Sequence, residues 1–180
     1  MIFSRYFEKI KGFVFSIIST KKIRLSDGKI LYLKNVYIEG NRLKIGTDVY
    51  IGPHATILCG VDNIIIEDHV IIGPNVTLVE SNHIFDKVGE YIKHAGLKGG
   101  GILIEEDCWI GANVTILAGV TIGRGCVIGA CSLVTKSIPP YSVAYGIPAK
   151  IVKQRFSHDD IILHELLLSG KSKVNVNSRI

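Results

Sequence analysis

Apolar residues recur every six positions along the middle of the chain. Between Ile45 and Pro139, apart from one long interruption, each six-residue block begins with isoleucine or valine, as in IGTDVY, IGPNVT and IGANVT. The fifth residue of nearly every block is small or β-branched. In an α-helix, residues six apart are separated by about 120° around the axis and share no face. A strand places both positions on one face, but the glycine found second in many blocks interrupts a continuous strand.

One short strand and one tight turn per block satisfy both observations. Self-similarity at a fixed short period is typical of solenoids. The pattern therefore predicts an all-β solenoid, a parallel β-helix, over residues 23–150. The first positions of these blocks are Ile45, Ile51, Ile57, Ile66, Ile72, Ile104, Ile110, Ile116, Ile122, Ile128 and Val134.

The longest loss of the six-residue frame lies between Leu78 and Ile104. We expect residues 79–103 to leave the solenoid as a loop, and long loops in compact domains are usually functional or disordered. This one contains several aromatic residues and is too apolar for a disordered linker, so we expect it to pack against something. Histidine exchanges a proton near neutral pH, which makes His83, at the root of the loop, a candidate general base. Glu80 or Asp86 could orient its ring.

Both ends of the chain have helical patterns. In residues 1–22, apolar side chains at three- and four-residue spacing predict an amphipathic helix. It is too short to span a bilayer and has no signal-peptide cleavage site. It could cap the solenoid or lie on a membrane surface. Residues 151–180 predict a short helix and tail, with a capping box at Ser157 and Asp160, an end at Gly170 and a frayed tail beyond it.

Composition and charge narrow the function classes. A chain of 180 residues with 47% hydrophobic and 21% charged residues is ordinary for one soluble domain. The basic excess lies at the ends, where residues 1–24 carry six basic and one acidic side chain. This distribution argues against nucleic-acid binding, because proteins that bind nucleic acid usually carry a basic stripe along the body of the fold. The four cysteines and six histidines lack metal-ligand spacing, so we expect core or turn cysteines, no metal and a cytoplasmic protein.

Three further segments carry a family resemblance. The segment SNHIFD at residues 81–86, the run DCWIGA at 107–112 and the ending GIPAK at 146–150, together with the repeats, resemble the hexapeptide-repeat acyltransferases. The resemblance covers residues 23–155 and is nearest to the maltose, galactoside, streptogramin and polysaccharide O-acetyltransferases. It implies a left-handed parallel β-helix, contrary to the usual right-handed crossover. It also implies a homotrimer with active sites between subunits.

The resemblance implies direct transfer of acetyl from acetyl-CoA to a sugar hydroxyl, with His83 as the general base. The N-terminal segment favours an acceptor in surface polysaccharide biosynthesis, or a glycan precursor, with residues 1–22 in peripheral contact with the inner face of the cell membrane. N-acetylation of an amino sugar, acetylation of a xenobiotic and a non-catalytic scaffold are the alternatives. The positions that match the family's motifs imply an active site lined by Asn82, Phe85, Asp86 and Trp109. Those matched to acetyl-CoA are Ala112, Ala130, Thr135, Lys136, Lys150 and Lys153, with Arg155 as a further basic residue.

Overall fold

A short antiparallel hairpin precedes the solenoid. The structure, a computed structural model, describes residues 20–24 and 30–174. The hairpin pairs β1 (Thr20–Arg24) with β2 (Ile30–Lys34). Residues 20–22 are therefore in a strand, and the helix predicted for residues 1–22 is wrong at its end. Its remainder lies outside the described residues.

Five coils follow, and each coil contributes one segment to each of three parallel sheets in fixed rotation. The first coil contains β3 (Tyr37–Gly40), β4 (Leu43–Ile45) and β5 (Tyr50–Ile51). The second contains β6 (Thr56–Cys59), β7 (Ile64–Ile66) and β8 (Ile71–Ile72). The third begins with β9 (Thr77–Val79), is interrupted by β10 (Ser81–His83), α1 (Ile92–Ala95) and β11 (Leu97–Gly99), and resumes with β12 (Ile102–Ile104) and β13 (Trp109–Ile110). The fourth contains β14 (Thr115–Ile116), β15 (Val120–Ile122) and β16 (Val127–Ile128). The fifth contains β17 (Leu133–Val134), an isolated bridge at Ile138 and β18 (Ser142–Gly146).

These strands form the three sides of a prism. The first sheet contains β3, β6, β9, β14 and β17, and the second contains β4, β7, β12 and β15. The third contains β5, β8, β13, β16 and β18, extended by the antiparallel edge strand β19 (Ala149–Gln154). Parallel pairing stacks neighbouring coils about 4.8 Å apart, so equivalent positions of successive blocks form columns.

The first positions of the blocks form the core. All eleven first-position residues are buried, from Ile51 at 8% exposure to Ile104, Ile110 and Ile128 at 0%. The fifth positions are buried with them, apart from Val61. Burial on the inside of every sheet explains why the aliphatic pattern persists through all three sides of each coil.

The corners of the prism impose a further pattern that the sequence analysis did not use. The fourth residue of many blocks lies in the left-handed region, as at Asn75 and Asn113, both with φ 57°. Asparagine tolerates this conformation better than most residues, which accounts for its recurrence at this position. The second-position glycines allow successive corners to approach, since a Cβ on Gly111 would lie 2.6 Å from the Ala130 nitrogen.

The C-terminal helix, α2 (His158–Val174), follows β19. Its predicted cap is confirmed, because the Asp160 N–H donates to Ser157 Oγ at 3.1 Å and that hydroxyl donates to the Asp160 carboxylate at 2.7 Å. The predicted end at Gly170 is wrong, since the helix continues to Val174 and residues 171–174 are not a frayed tail. One exposed glycine costs a helix only about 1 kcal/mol and does not terminate it. No helix within the described residues has the length and hydrophobicity needed to cross a membrane.

Candidate active site

The interruption of the repeat is a projecting hairpin. Strands β10 and β11 pair antiparallel, with His83 opposite Leu97. The tip beyond them exposes large apolar side chains, including Phe85 at 76%, Tyr91 at 80% and Val88 completely. The expected packing of this loop is therefore not found within its own chain, and these side chains are left available to another molecule.

His83 lies at the end of β10 and is exposed. Among the described residues, none hydrogen-bonds its imidazole. Glu80 is not its partner, because the Glu80 carboxylate is buried and accepts the Val61 N–H at 2.8 Å instead. Asp86 is exposed on the projecting loop and makes no described hydrogen bond to the ring. Glu80 is thus not the hydrogen-bond partner that orients the His83 ring, since its oxygens face the solenoid. Asn82 and Phe85 are exposed beside His83.

Trp109 stands on the outer face of the third sheet. Its strand pairs with Ile71 on one side and Val127 on the other, and Ile71 pairs with Tyr50 in the first coil. Tyr50, Ile71 and Trp109 are 57%, 50% and 55% exposed. Because paired positions of parallel strands share a face, these side chains form an outward apolar column. The Trp109 ring therefore points away from the core.

Within one chain, His83 and Trp109 occupy different sides of the prism. The hairpin leaves where the chain passes from the first sheet to the second, whereas Trp109 is on the third sheet, opposite that corner. Two surface depressions of about 410 and 240 Å³ both follow the second sheet and contain neither residue. A single chain therefore does not bring the candidate base and the tryptophan together.

The residues matched to acetyl-CoA fall on the same two sides. Ala112 and Ala130 stack at the corner after the third sheet, where the Cys131 N–H donates to the Ala112 carbonyl at 2.8 Å. Their methyl groups leave the main chain of this corner open to a ligand. Lys150 and Lys153 are exposed on β19, which extends the third sheet.

Thr135 and Lys136 belong to the other side. They are exposed in the turn after β17, at the corner between the first and second sheets. The hairpin carrying His83 leaves this same corner two coils earlier. The candidate residues thus form two half-sites: one of His83, its neighbours, Thr135 and Lys136, and one of Trp109, Ala112, Ala130, Lys150 and Lys153.

Arg155 does not belong to either half-site. Its guanidinium donates to the Asp107 carboxylate at 2.7 Å and to the Gly125 carbonyl at 3.1 Å, and it packs 4.7 Å from the Phe156 ring centroid. Its Nη1 thus binds an internal carboxylate and a carbonyl across the coil corners, and the contact that the resemblance implies between Arg155 and a phosphate of acetyl-CoA stays a prediction.

A neighbouring polar cluster attaches α2 to the solenoid, and its members are too far apart in the sequence to form a recognisable motif. Arg124 pairs with Glu106 and donates to the Glu165 carboxylate at 2.6 Å, and the Tyr141 hydroxyl donates to the same carboxylate. These hydrogen bonds, first from Tyr141 and then from Arg124, lower the pKa of Glu165. The cluster holds α2 at the corner between the second and third sheets, away from both half-sites.

The cysteines are structural. Cys59, Cys108 and Cys126 are buried and Cys131 lies at an exposed turn, as predicted, and none forms a disulfide. Burial raises the pKa of Cys108 to about 12, which keeps its thiol protonated and unreactive. Within residues 20–24 and 30–174, no three His, Cys, Asp or Glu side chains are grouped so that they could hold a metal ion.

Comparisons with known proteins place the chain in a family. Residues 101–136 match the model described as bacterial transferase hexapeptide (six repeats). The structure of a hexapeptide-repeat acetyltransferase of Vibrio cholerae is 35% identical, with a TM-score of 0.63 and coverage of 68% of both chains. The chain belongs to the hexapeptide-repeat acetyltransferases. The predicted β-helix solenoid is confirmed by the same likeness, and that Vibrio protein has also been solved with acetyl-CoA bound.

Two further members of the family are similar. Galactoside O-acetyltransferase of Lactococcus lactis is 38% identical over 122 residues, covering 67% of this chain and 56% of the relative. The structure of a polySia-specific acetyltransferase is 30% identical, with a TM-score of 0.53 and coverage of 68% of this chain and 63% of that one. The chain spans about half of the length of the curated relatives it matches.

Proposed function

We propose that this chain is an acetyl-CoA-dependent O-acetyltransferase that transfers an acetyl group to a sugar hydroxyl in surface polysaccharide biosynthesis. The observation that carries the proposal is the exposed position of His83, which projects from one corner of a solenoid that belongs to the acetyltransferase family. The open corner at Ala112 and Ala130 and the lysines of β19 lie on another side of the same solenoid. A general base needs an accessible ring that approaches the acceptor hydroxyl directly, and the SNHIFD motif distinguishes His83 from the other exposed histidines.

The active form is a homotrimer with its sites between subunits. Each chain would supply its hairpin to one neighbour and its third sheet to the other, so that every site receives one half-site from each of two chains. The exposed apolar tip of the hairpin supports this arrangement, since large apolar patches on a soluble protein usually mark interfaces. A cyclic assembly closes such a head-to-tail contact without leaving an unpaired half-site.

In the proposed reaction, the unprotonated imidazole of His83 accepts the proton of the acceptor hydroxyl while its oxygen attacks the thioester carbonyl carbon. The new carbon–oxygen bond forms as the carbon–sulfur bond breaks. The proton passes from His83 to the departing sulfur, which leaves as the thiol of coenzyme A. No acyl-enzyme is required, and a base in this role contributes about 10²–10⁴-fold to the rate.

Acetyl-CoA would lie along the corner formed by Ala112 and Ala130. The absence of side chains beyond Cβ allows its pantetheine arm to approach main-chain groups. Lys150 and Lys153 of one subunit and Lys136 with Thr135 of its neighbour would meet the anionic phosphates. Trp109 lines the position of the thioester and the acceptor.

The polysaccharide acceptor is the finer part of the proposal. It is supported by the family likeness to a polySia-specific enzyme and by the basic, amphipathic sequence of residues 1–22. That sequence also supports a peripheral contact with the cytoplasmic membrane surface. Flotation with vesicles containing anionic lipid tests the contact, and no binding by the full chain would exclude it.

The activity is tested by release of free thiol from acetyl-CoA across a panel of mono- and oligosaccharides. We expect turnover with hydroxyl acceptors and a loss of about 10²–10⁴-fold in kcat for His83→Ala. His94→Ala, in the same exposed loop, is the matched control and should retain activity. Faster turnover with amino sugars or amine antibiotics would replace O-acetylation with N-acetylation, and wild-type turnover by His83→Ala would remove the proposed base.

A further inference from the structure

The buried carboxylate of Glu80 holds the outgoing leg of the hairpin. Glu80 is 1% exposed, and its Oε1 accepts the Val61 N–H at 2.8 Å and the Asp62 N–H at 3.4 Å. The Ser81 hydroxyl lies 3.4 Å from Oε2. Both N–H groups belong to the corner of the preceding coil. The carboxylate therefore ties the first residue of the hairpin to the body of the solenoid.

The returning leg is held just as closely. The Gly100 N–H donates to the Glu80 carbonyl at 2.9 Å, and the Gly119 N–H donates to the Gly101 carbonyl at 2.8 Å. A Cβ on Gly99 would lie 2.9 Å from the Asp62 side chain, and one on Gly100 would lie 2.8 Å from the Gly119 nitrogen. Gly99 and Gly100 thus pass between two neighbouring corners with no space for side chains.

The position of His83 depends on this root. Only two residues separate it from Glu80, and β10 makes its ladder contacts with β11 alone. We propose that Glu80 is a positioning residue for His83: its buried carboxylate sets the direction in which β10 leaves the solenoid, and so the approach of the imidazole to the acceptor hydroxyl. This inference rests on the proposed function, in which His83 reaches a site completed by the neighbouring subunit.

Two variants separate positioning from packing. Glu80→Gln keeps an oxygen that can accept the Val61 N–H, whereas Glu80→Met keeps the approximate volume and leaves both N–H groups unpaired. We expect the kcat of Glu80→Met to fall about 10–100-fold, because a displacement near 1 Å costs about 100-fold. Its KM for acetyl-CoA should stay within about two-fold, since the proposed cofactor contacts are elsewhere. Glu80→Gln should stay within about three-fold of wild type in both.

A destabilised control and a measurement independent of activity complete the test. Ile45→Ala removes buried volume from the first coil and should lower thermal stability without lowering kcat. Hydrogen exchange at residues 81–83 and 97–99 should accelerate in Glu80→Met, but not in Glu80→Gln or Ile45→Ala. Unchanged exchange in Glu80→Met overturns the inference, as does a kcat equal to that of wild type. If the wild-type protein transfers no acetyl group to any acceptor, the proposed function is wrong. Hydrogen exchange in the Glu80 variants would still test, independently of activity, whether Glu80 orders the hairpin.

Discussion

Two inactive variants are expected to restore activity when they assemble in one oligomer. His83→Ala lacks the base on the hairpin, and Ala130→Trp places a large side chain on the open corner beside Ala112. Ala130 is exposed, so the added indole can point outward without entering the core. Each variant alone should be inactive, because every site of its homotrimer lacks one half-site.

The expected recovery follows from the separation of the half-sites on the prism. A working site needs a hairpin from an Ala130→Trp chain and a corner from a His83→Ala chain. With random mixing at equal amounts, each requirement is met half of the time, so about one quarter of the sites are complete. Activity should vary with the product of the two mole fractions and peak at equal amounts.

The assay is co-expression of the two variants with different affinity tags, purification over both tags and measurement of thiol release from acetyl-CoA. After purification over both tags every trimer contains both variants, and one of its three sites is complete, so the mixed oligomer should show about one third of wild-type activity. Mixing either variant with itself under two tags is the control. If activity remains at the sum of the two residual values at every ratio, both half-sites belong to one chain and the reasoning from the prism is wrong.

Three further predictions concern the lysines of β19, the corners and α2. The double variant Lys150→Glu, Lys153→Glu should raise the KM for acetyl-CoA at least about ten-fold, because charge reversal on β19 repels the phosphates. The control Lys98→Glu, on the projecting hairpin, should not raise it. Equal KM values would show that neither Lys150 nor Lys153 binds acetyl-CoA. Gly111→Ala should destabilise the fold by about 1–3 kcal/mol in chemical denaturation, since its Cβ would meet the Ala130 nitrogen. Gly60→Ala should change stability little, because no atom lies within 4 Å of its Cβ. Similar losses in the two variants would contradict the close packing of the corners. Glu165→Gln should lower Tm at neutral pH. The difference in Tm between this variant and wild type should disappear as pH falls below the ordinary glutamate range, because a carboxyl with a lowered pKa stabilises the fold only while it is ionised. A constant difference down to pH ~2 would show that the charge of Glu165 is not involved.

The core was predictable from the sequence because every coil repeats one environment. Ile110 and Ile128 occupy equivalent places one coil apart, so the same physical demand selects the same residue type. The hairpin was predictable as an interruption for the same reason. A frame that resumes after the insert requires the solenoid to continue across it, and the structure shows β12 stacking on β7 from before the insert.

The partners of polar side chains that lie on different coils were not predictable. Glu80 lies three residues from His83 in the sequence, yet its carboxylate turns inward to the corner at Val61. Arg155 lies in a basic segment, yet it pairs with Asp107, 48 residues earlier. Both outcomes depend on which corners the coils bring together, and neither is visible in local spacing.

By itself, the sequence determined the solenoid, its core positions and the place of the hairpin, because these follow from a repeated pattern of burial at short range. It also identified His83 and Trp109, through motifs that the family shares. Only the tertiary structure decided that these two residues belong to different sides of the prism. Between the hairpin and Trp109 the chain passes along the second sheet and around one further corner. Because the three sheets enclose one core, this path places the core between the two residues. Since opposite sides of a packed core cannot meet, the chemistry proposed for this chain needs a second copy of it.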